Sequence, residues 1–335
     1  MLNRPLKAAS AAAISFLLVS VVPFAQENRL PVIDVHAHTS DVDSNGPPPV
    51  RFCPGEMLIP GWDPSGPPWP AVLGKQMATQ ECDFPIFSPL EQDQLRDQTL
   101  AQLVEHNVTA FLMGSAGRVA EWRALLPNQT IPAWEFNLVN RANFTPERMV
   151  DAWKAGEMRL FGEITNQYHG ILPDDPRMEP YWAAAEEHDI PVALHMGMGP
   201  PGVRYTFAEE YRAAHHSPLL LEPVLRAHPR LRIFVMHAGW PMADEMIALM
   251  WNHPQVYVDT GCIVFCVKKE AFYSHLERLV DAGMGERIMF GSDAMTWPDT
   301  IGYGIRVIEE APFLDETQKR DILYNNAKRF FRMPD

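Results

Sequence analysis

Short, continuous apolar segments alternate along the chain with longer segments in which apolar residues recur at helical spacing. Such segments are typical of parallel strands, which are buried on both faces. The segments are Pro31–His36, Val108–Met113, Ala133–Leu138, Leu160–Thr165, Pro191–His195, Arg232–His237, Val256–Thr260 and Ile288–Asp293. Alternating strands and helices predict a parallel sheet, and eight such units predict an α/β fold, a (β/α)8 TIM barrel over residues 30–333.

Helix start signals fall between these apolar segments. Ser88-Pro89-Leu90-Glu91 combines a polar cap, an early proline and a glutamate, which predicts a helix through Glu105. Thr145-Pro146 repeats the cap and proline, and Asp315 with Gln318 predicts a capped final helix. An open doubly wound sheet is the alternative architecture, but it would require a glycine-rich turn after the first strand. The first strand ends in His-Ala-His instead, which favours the barrel.

One segment, residues 39–87, interrupts the regular alternation. It is rich in proline, glycine and tryptophan, as in Pro47-Pro48-Pro49 and Gly66-Pro67-Pro68-Trp69-Pro70. An irregular stretch of this length within a compact domain is usually functional or disordered. It follows the first strand at the end of the barrel where active sites lie, and Trp62 and Trp69 are unusual for a disordered linker. We therefore expect a lid-like insertion or a pocket wall.

The first 25 residues differ from the rest of the chain. Arg4 and Lys7 precede an apolar run from Ala8 to Val22, which Pro23-Phe24-Ala25 follows. This order describes a secretory signal peptide over residues 1–25, and the run is short for a bilayer-spanning helix. We expect an exported protein, periplasmic or secreted, with no membrane segment after cleavage. An uncleaved anchor is the alternative.

The composition indicates which classes of partner the chain is able to bind and whether its cysteines are able to pair. The chain is 47% hydrophobic and 21% charged, which is ample for a globular core. Its net charge of −14 and the lack of a run rich in lysine and arginine argue against a nucleic-acid partner. None of the four cysteines forms a CxxC zinc motif. In an exported protein Cys53 and Cys82, both in the insertion, are able to pair, although free thiols at these and at Cys262 and Cys266 are equally compatible.

Ionisable residues end several of the apolar segments. His36 and His38 are two apart on the first strand and therefore project to the same side. His195, His237 and Asp293 end the fifth, sixth and eighth segments. Each alone is compatible with a structural role, but a buried ionisable group is costly without a partner. Five such residues on one rim favour a centre that binds a divalent metal, for which imidazole and carboxylate are suitable ligands.

Glu163 ends the fourth apolar segment, in Gly162-Glu163-Ile164. A carboxylate at this position is able to bridge two metal ions, to bind one, or to orient a ligand histidine. A buried ion pair without a catalytic role is the structural alternative. We favour a part in the active site and leave its status as a metal ligand open.

The remaining histidines are interpreted as structural. His228 precedes a proline at a helix end and is expected to cap that helix, far from the site. His188 and His275 lie in predicted helices and are expected at the surface. His215-His216 resembles a polar loop, and we leave it out of the predicted site.

The motifs resemble the amidohydrolase superfamily, in its amidohydrolase-related branch, which includes enzymes similar to aminocarboxymuconate-semialdehyde decarboxylase. The resemblance spans residues 32–331 and rests on Asp-Val-His-Ala-His, Ala-Leu-His, Met-His-Ala-Gly-Trp-Pro and Phe-Gly-Ser-Asp in the family's order. It implies that His36, His38, His195 and Asp293 bind one or two divalent ions, with zinc expected and manganese the alternative. It further implies that His237 is catalytic, beside Asp293.

Two reactions suit such a centre. A metal-dependent hydrolase would activate water against an ester, lactone or amide of a small molecule, with Asp293 moving the proton and His237 polarising the carbonyl. A non-oxidative decarboxylase is the main alternative, and it would need cationic groups such as Arg51, Arg204 or Arg212 for its anionic substrate. An inactive barrel that only binds metal is a third interpretation. Both a monomer and a homodimer are compatible with the sequence.

Overall fold

The computed structural model describes residues 29–139 and 144–334, so the predicted signal peptide lies outside the described residues. Eight parallel strands pair side by side in chain order, and a two-stranded antiparallel sheet accompanies them. The strands are β1 (Val32–His38), β2 (Arg51–Phe52), β3 (Ile86–Phe87), β4 (Val108–Met113), β5 (Thr130–Phe136), β6 (Leu160–Ile164), β7 (Val192–His195), β8 (Ile233–Met236), β9 (Val256–Asp259) and β10 (Ile288–Met289). The predicted TIM barrel is confirmed.

The barrel closes between its first and last strands. The amide of Val35 donates to the carbonyl of Phe290 at 3.0 Å, and Ala37 forms a parallel bridge with Ala294. β10 is shorter than predicted because the backbone beyond it bonds to β1 instead: the amide of Ser292 donates to the Asp34 carboxylate. With this hydrogen bond the chain leaves β10 and passes along the rim of the barrel to Asp293.

Twelve α-helices accompany the strands in the described residues, most of them on the outside of the barrel. They are α1 (Trp69–Thr79), α2 (Gln92–Glu105), α3 (Ala116–Leu125), α4 (Pro146–Ala155), α5 (Glu179–Glu187), α6 (Glu222–Ala227), α7 (Ala243–Asn252), α8 (Ile263–Cys266), α9 (Lys269–Asp281), α10 (Thr300–Glu309), α11 (Glu316–Arg320) and α12 (Asn326–Phe331). The predicted caps at Thr145 and Asp315 are confirmed, since their side chains accept from the amides of Arg148 and Gln318.

The predicted start of α2 at Ser88 is wrong. The helix begins at Gln92, after Glu91 in an extended conformation. The Ser88 hydroxyl accepts from the amide of Val50 at 2.8 Å, and the Ser88 amide donates to the Val50 carbonyl. Ser88 therefore ties the two arms of the insertion together and is not free to cap a helix.

Two clusters of buried apolar side chains stabilise the barrel. The larger lies between strands and helices, while a smaller cluster includes alternating strand residues such as Ile33, Phe111 and Phe234. Phe330 of α12 is 3% exposed and belongs to this smaller cluster, with its ring edge-on to Phe234. The neighbouring Phe331 stacks on Phe111 at 4.0 Å between ring centroids. The aromatic rings of α12 thus fill one end of the barrel.

The insertion, residues 39–87, contains β2, β3 and α1 and is linked by a disulfide between Cys53 and Cys82. The second cysteine pair, Cys262 and Cys266, is also a disulfide. Within residues 29–139 and 144–334, no helix has the length and apolar character needed to cross a bilayer.

Candidate metal centre

The two histidines of β1 meet at the carboxyl end of the barrel. His36 Nε2 and His38 Nε2 lie 3.0 Å apart, although an irregularity in the strand pairing falls between Asp34 and Ala37. Each ring is held from behind by a carboxylate: Asp259 contacts Nδ1 of His36 at 3.0 Å, and Glu135 contacts Nδ1 of His38 at 2.7 Å. Both Nε2 atoms are therefore directed to one common point.

Two carboxylates complete this group. Asp293 Oδ1 lies 3.4 Å from His36 Nε2 and 3.1 Å from His38 Nε2. Glu163 Oε2 lies 3.9 Å and 3.5 Å from the same two atoms. Tetrahedral ligands at about 2.0–2.1 Å from an ion stand about 3.3 Å from one another. The two imidazole nitrogens and Asp293 Oδ1, at 3.0–3.4 Å from one another, therefore fit one divalent ion, and Glu163 Oε2 lies beside them.

The second oxygen of Glu163 faces two other histidines. Oε1 lies 2.5 Å from His195 Nδ1 and 3.6 Å from His237 Nε2, and these two nitrogens are 3.0 Å apart. Glu163, His195 and His237 thus form a second compact group of potential ligands. His195 Nε2 is buried and has no hydrogen-bond partner in the described chain. The six predicted site residues are brought together, and the two oxygens of Glu163 face the two groups.

Backbone strain occurs at two of these residues. His237 and Asp293 have φ angles of 59° and 53°, in the left-handed region that is unfavourable for residues with a Cβ. His237 Nδ1 lies 2.9 Å from the carbonyl of Gly261, and its amide donates to Asp259. These contacts fix the ring: Nδ1 donates to the carbonyl, and Nε2 faces Glu163 and His195.

The charges in the centre compensate one another. Burial lowers the pKa of His237, but Glu163 and Asp293 outweigh this effect and raise it to about 9. Burial likewise opposes ionisation of Glu163, yet the surrounding histidines hold its pKa well below the usual value. Asp293 is also lowered in pKa, chiefly by His36 and His38 acting against burial. Ionised carboxylates among imidazoles are a suitable environment for a cation.

Two carboxylates that support the site, Asp259 and Glu135, were not predicted from the sequence. Asp259 is fully buried, ends β9 and contacts both His36 and the amide of His237. Its signal was present, since it ends an apolar run in the same way as Asp293. Glu135 is one polar residue within β5 and contacts His38. His275 was expected at the surface but is buried, with its Nε2 3.0 Å from the carbonyl of Ala238.

An aromatic wall, formed by Tyr168, Tyr211 and Phe207, stands beside His195. The Tyr168 ring lies 4.9 Å from the His195 ring, 5.7 Å from Tyr211 and 5.8 Å from Phe207, between centroids. His216, which was left out of the predicted site, lies 4.5 Å from Tyr211 and 5.5 Å from His195. Burial and the neighbouring histidines lower the pKa of His216 to about 2, so its ring is neutral.

The insertion contacts the loop that carries this wall. Trp69 Nε1 donates to the carbonyl of Pro201 at 2.7 Å, and the Trp62 ring lies 4.9 Å from that of Tyr205. The insertion therefore packs beside the mouth of the barrel. Whether it moves as a lid stays a prediction.

The chain is similar to several known proteins. The family model described as amidohydrolase matches residues 33–333. The γ-resorcylate decarboxylase of Rhodococcus jostii strain RHA1 is 26% identical over 192 residues, which is 48% of this chain and 55% of that enzyme. The match to a second curated relative covers 18% of its length, so the chain spans about half or less of these relatives.

Solved structures share the fold at low identity. A probable 2-pyrone-4,6-dicarboxylic acid hydrolase from Acinetobacter baumannii has a TM-score of 0.55 and 13% identity, with 91% of this chain and 100% of that chain covered. The 5-carboxyvanillate decarboxylase of Novosphingobium aromaticivorans, solved with manganese, has a TM-score of 0.52 and 13% identity over 71% and 80% of the two chains. Because the family model spans nearly all of the described barrel, the chain belongs to the amidohydrolase family.

Proposed function

We propose that the chain is a metal-dependent hydrolase that cleaves an ester, lactone or amide bond in a small molecule, with two divalent ions at its centre. The observation that carries the proposal is the position of Glu163. One oxygen faces His36 and His38, and the other faces His195 and His237. A carboxylate shared in this way is suited to bridge two ions, an arrangement typical of hydrolytic sites.

The donor set supports the two groups as ion sites. His36, His38 and Asp293 would hold one ion, and Glu163, His195 and His237 the other. The second oxygen of Glu163 faces the two histidines of the first group. A divalent cation polarises a carbonyl oxygen and lowers the pKa of water from about 15.7 toward 7. Imidazole-rich sites favour zinc, while the manganese in the related decarboxylase structure makes manganese the alternative.

The chain's own residues would handle the proton and the substrate. Asp293 is ionised, and its Oδ1 lies within 3.4 Å of both β1 histidines, so it is placed to take a proton from the attacking water. The same carboxyl group then returns that proton to the leaving group. His237, held through Nδ1 by Gly261, would direct Nε2 at the substrate carbonyl or serve as an ion ligand.

The cationic residues that a decarboxylase would use do not contact the centre. Arg51 donates to the carbonyls of Met77 and Gln80 within the insertion. Arg204 donates to the carbonyl of Glu209, and Arg212 is exposed. This placement favours hydrolysis of a substrate that does not need a guanidinium group.

Non-oxidative decarboxylation is the second candidate. The observation in its favour is the likeness to γ-resorcylate decarboxylase and 5-carboxyvanillate decarboxylase. In that reaction His237 or Asp293 would deliver the proton that replaces the lost carboxylate. An inactive metal-binding barrel is the third candidate, and a lack of turnover on every substrate would support it.

The decisive experiment combines metal analysis with a substrate panel. We expect two equivalents of zinc or manganese in the purified protein, and one in His195→Ala, with His188→Ala as a matched control that keeps both. Esters, lactones and amides are assayed beside 2,6-dihydroxybenzoate, for which carbon dioxide release is measured. Turnover of the carboxylate alone would replace the hydrolase proposal with the decarboxylase. Metal-free protein after reconstitution would refute both.

We further propose that the chain works outside the cytoplasm. Its two disulfides support this location, since such bonds persist in oxidising compartments. Fractionation of cells that express the full chain should recover the shortened protein from the periplasm or the medium. Recovery of the full-length chain from the cytoplasm, with free thiols, would contradict the proposal.

A further inference from the structure

His216 lies at the carboxyl rim of the barrel, outside the two groups of ion ligands. It is 1% exposed, although it sits on the loop between β7 and α6. Its ring is flanked by Tyr211 at 4.5 Å and by Tyr168 at 6.3 Å between centroids, and it stands edge-on to His195. The residue therefore borders the proposed centre without belonging to it.

Both ring nitrogens of His216 are buried without a hydrogen-bond partner in the described chain. The Nε2 atom of the adjacent His195 is in the same condition. Native proteins rarely leave such atoms unpaired, because the lost hydrogen bonds to water are not replaced. Three unpaired nitrogens on two adjoining rings indicate a place where a partner from outside the chain binds.

The groups of potential ion ligands found among residues 29–139 and 144–334 do not account for the His216 nitrogens, because they do not include His216. Nor does any described carboxylate form an ion pair with it, in contrast to His36, His38 and His237. A neutral imidazole offers one donor and one acceptor, which match a hydroxyl group, since a hydroxyl also both donates and accepts.

Two residues of the aromatic wall flank His216. Tyr168 and Tyr211 are half-buried and nearly stacked, with an angle of 30° between their ring planes. Such faces contact a planar ring at offset-stacking or edge-to-face distances. On a single ligand, His216 would therefore recognise a hydroxyl group, and the rings of Tyr168 and Tyr211 would recognise a planar ring.

We propose that His216 is a specificity residue that hydrogen-bonds a hydroxyl group of a planar, ring-containing substrate held against Tyr168 and Tyr211. This inference rests on the proposed function, because it places the substrate beside His195. A substrate that lacks the hydroxyl would leave the His216 nitrogens buried and unpaired, and the site would discriminate against it.

Binding of four simple probes tests the inference. Titration calorimetry compares benzoate with 2-, 3- and 4-hydroxybenzoate, which have the same ring and charge and differ by one hydroxyl. At least one hydroxybenzoate should bind wild-type protein about ten-fold more tightly than benzoate. In His216→Phe that ratio should fall to about one, with benzoate affinity kept within about two-fold. His188→Phe, a matched change just after α5, should leave the ratio unchanged.

A second variant and a second measurement keep the test decisive. His216→Asn retains one donor and one acceptor and should keep part of the preference, which also covers a failure of His216→Phe to fold. The inference is overturned if no probe binds, if wild-type protein shows no preference, or if His216→Phe keeps it. Loss of metal in His216→Phe would make the residue an ion ligand and would overturn the inference too.

Metal content, measured on the same samples, separates this inference from the proposed function. A hydroxyl preference that His216→Phe abolishes in wild-type-like, metal-loaded protein supports both. The same loss of preference in protein that never holds metal supports the role of His216 and refutes the metal-dependent hydrolase.

Discussion

At the scale of single residues, the carboxylates that contact the Nδ1 atoms of the β1 histidines differ in burial. Their contributions to metal affinity should therefore differ. Asp259 is fully buried and orients His36, whereas the Glu135 side chain that orients His38 is 36% exposed. We expect Asp259→Asn to lower metal affinity about 10- to 100-fold. Glu135→Gln should lower it less, because water screens the interaction. Competition with a chromophoric chelator measures both, and equal effects would contradict the argument.

A glycine beside the same histidine should be intolerant of a side chain. A Cβ at Gly261 would lie 2.4 Å from His36 Nδ1 and 3.1 Å from Asp259 Oδ1, so it would break the contact between them. Gly261→Ala should therefore lose most bound metal, as elemental analysis would show. Gly285→Ala is the matched control, since no atom lies within 4 Å of its added Cβ and its φ is ordinary. Full metal content in Gly261→Ala would show that His36 is not a ligand.

The sequence carries the principal site residues because each ends an apolar strand. His36, His38, His195 and Asp293 could be found in this way, and the structure brings them together with Glu163 and His237. Asp259 also ends an apolar run, but it was missed because it lies in no motif that carries the family resemblance. His216 was missed because nothing in a loop sequence shows that its residue is buried against Tyr211.

At the scale of elements, the two disulfides close loops of very different length. Cys53 and Cys82 are separated by 29 positions in sequence, and Cys262 and Cys266 by 4. On chain-entropy grounds the longer loop contributes about 3.6 kcal/mol to the free energy of unfolding, and the shorter about 1.9 kcal/mol. In urea denaturation, the double variant Cys53→Ser with Cys82→Ser should thus be less stable than the double variant Cys262→Ser with Cys266→Ser. The reverse order would indicate that the insertion unfolds separately from the barrel.

Element prediction succeeded where hydrophobic patterning dominates and failed where it does not. All eight barrel strands were located, since buried parallel strands form continuous apolar runs. α1, within the proline-rich insertion, was not predicted, because proline and glycine mask its helical pattern. Nor could the final helix be seen to divide into α11 and α12 around a π-helical turn over residues Asp321–Asn325. That division depends on packing against β1 and β10.

At the scale of the whole molecule, the two ends of the barrel are specialised. Phe330 and Phe331 of α12 fill one end with apolar rings and give it stability. The other end gathers ionisable groups from β1, β6, β7 and the segments after β8 and β10, where the burial of charged groups opposes folding. The metal should therefore contribute to the stability of the molecule as well as to its chemistry.

Metal removal should consequently lower the melting temperature. A ligand that binds only the folded state at about 1,000 times its dissociation constant adds about 4.1 kcal/mol to the free energy of unfolding. For a chain of this size that corresponds to a shift of several degrees. Calorimetry before and after dialysis against a chelator measures the shift, and added zinc or manganese should restore it. His38→Ala removes one donor of the first group and leaves the second group intact, so metal should raise its melting temperature by less than that of the wild-type protein. An unchanged melting temperature of the wild-type protein would mean that charge pairs between histidines and carboxylates already satisfy the centre, and that no ion is needed to hold it together.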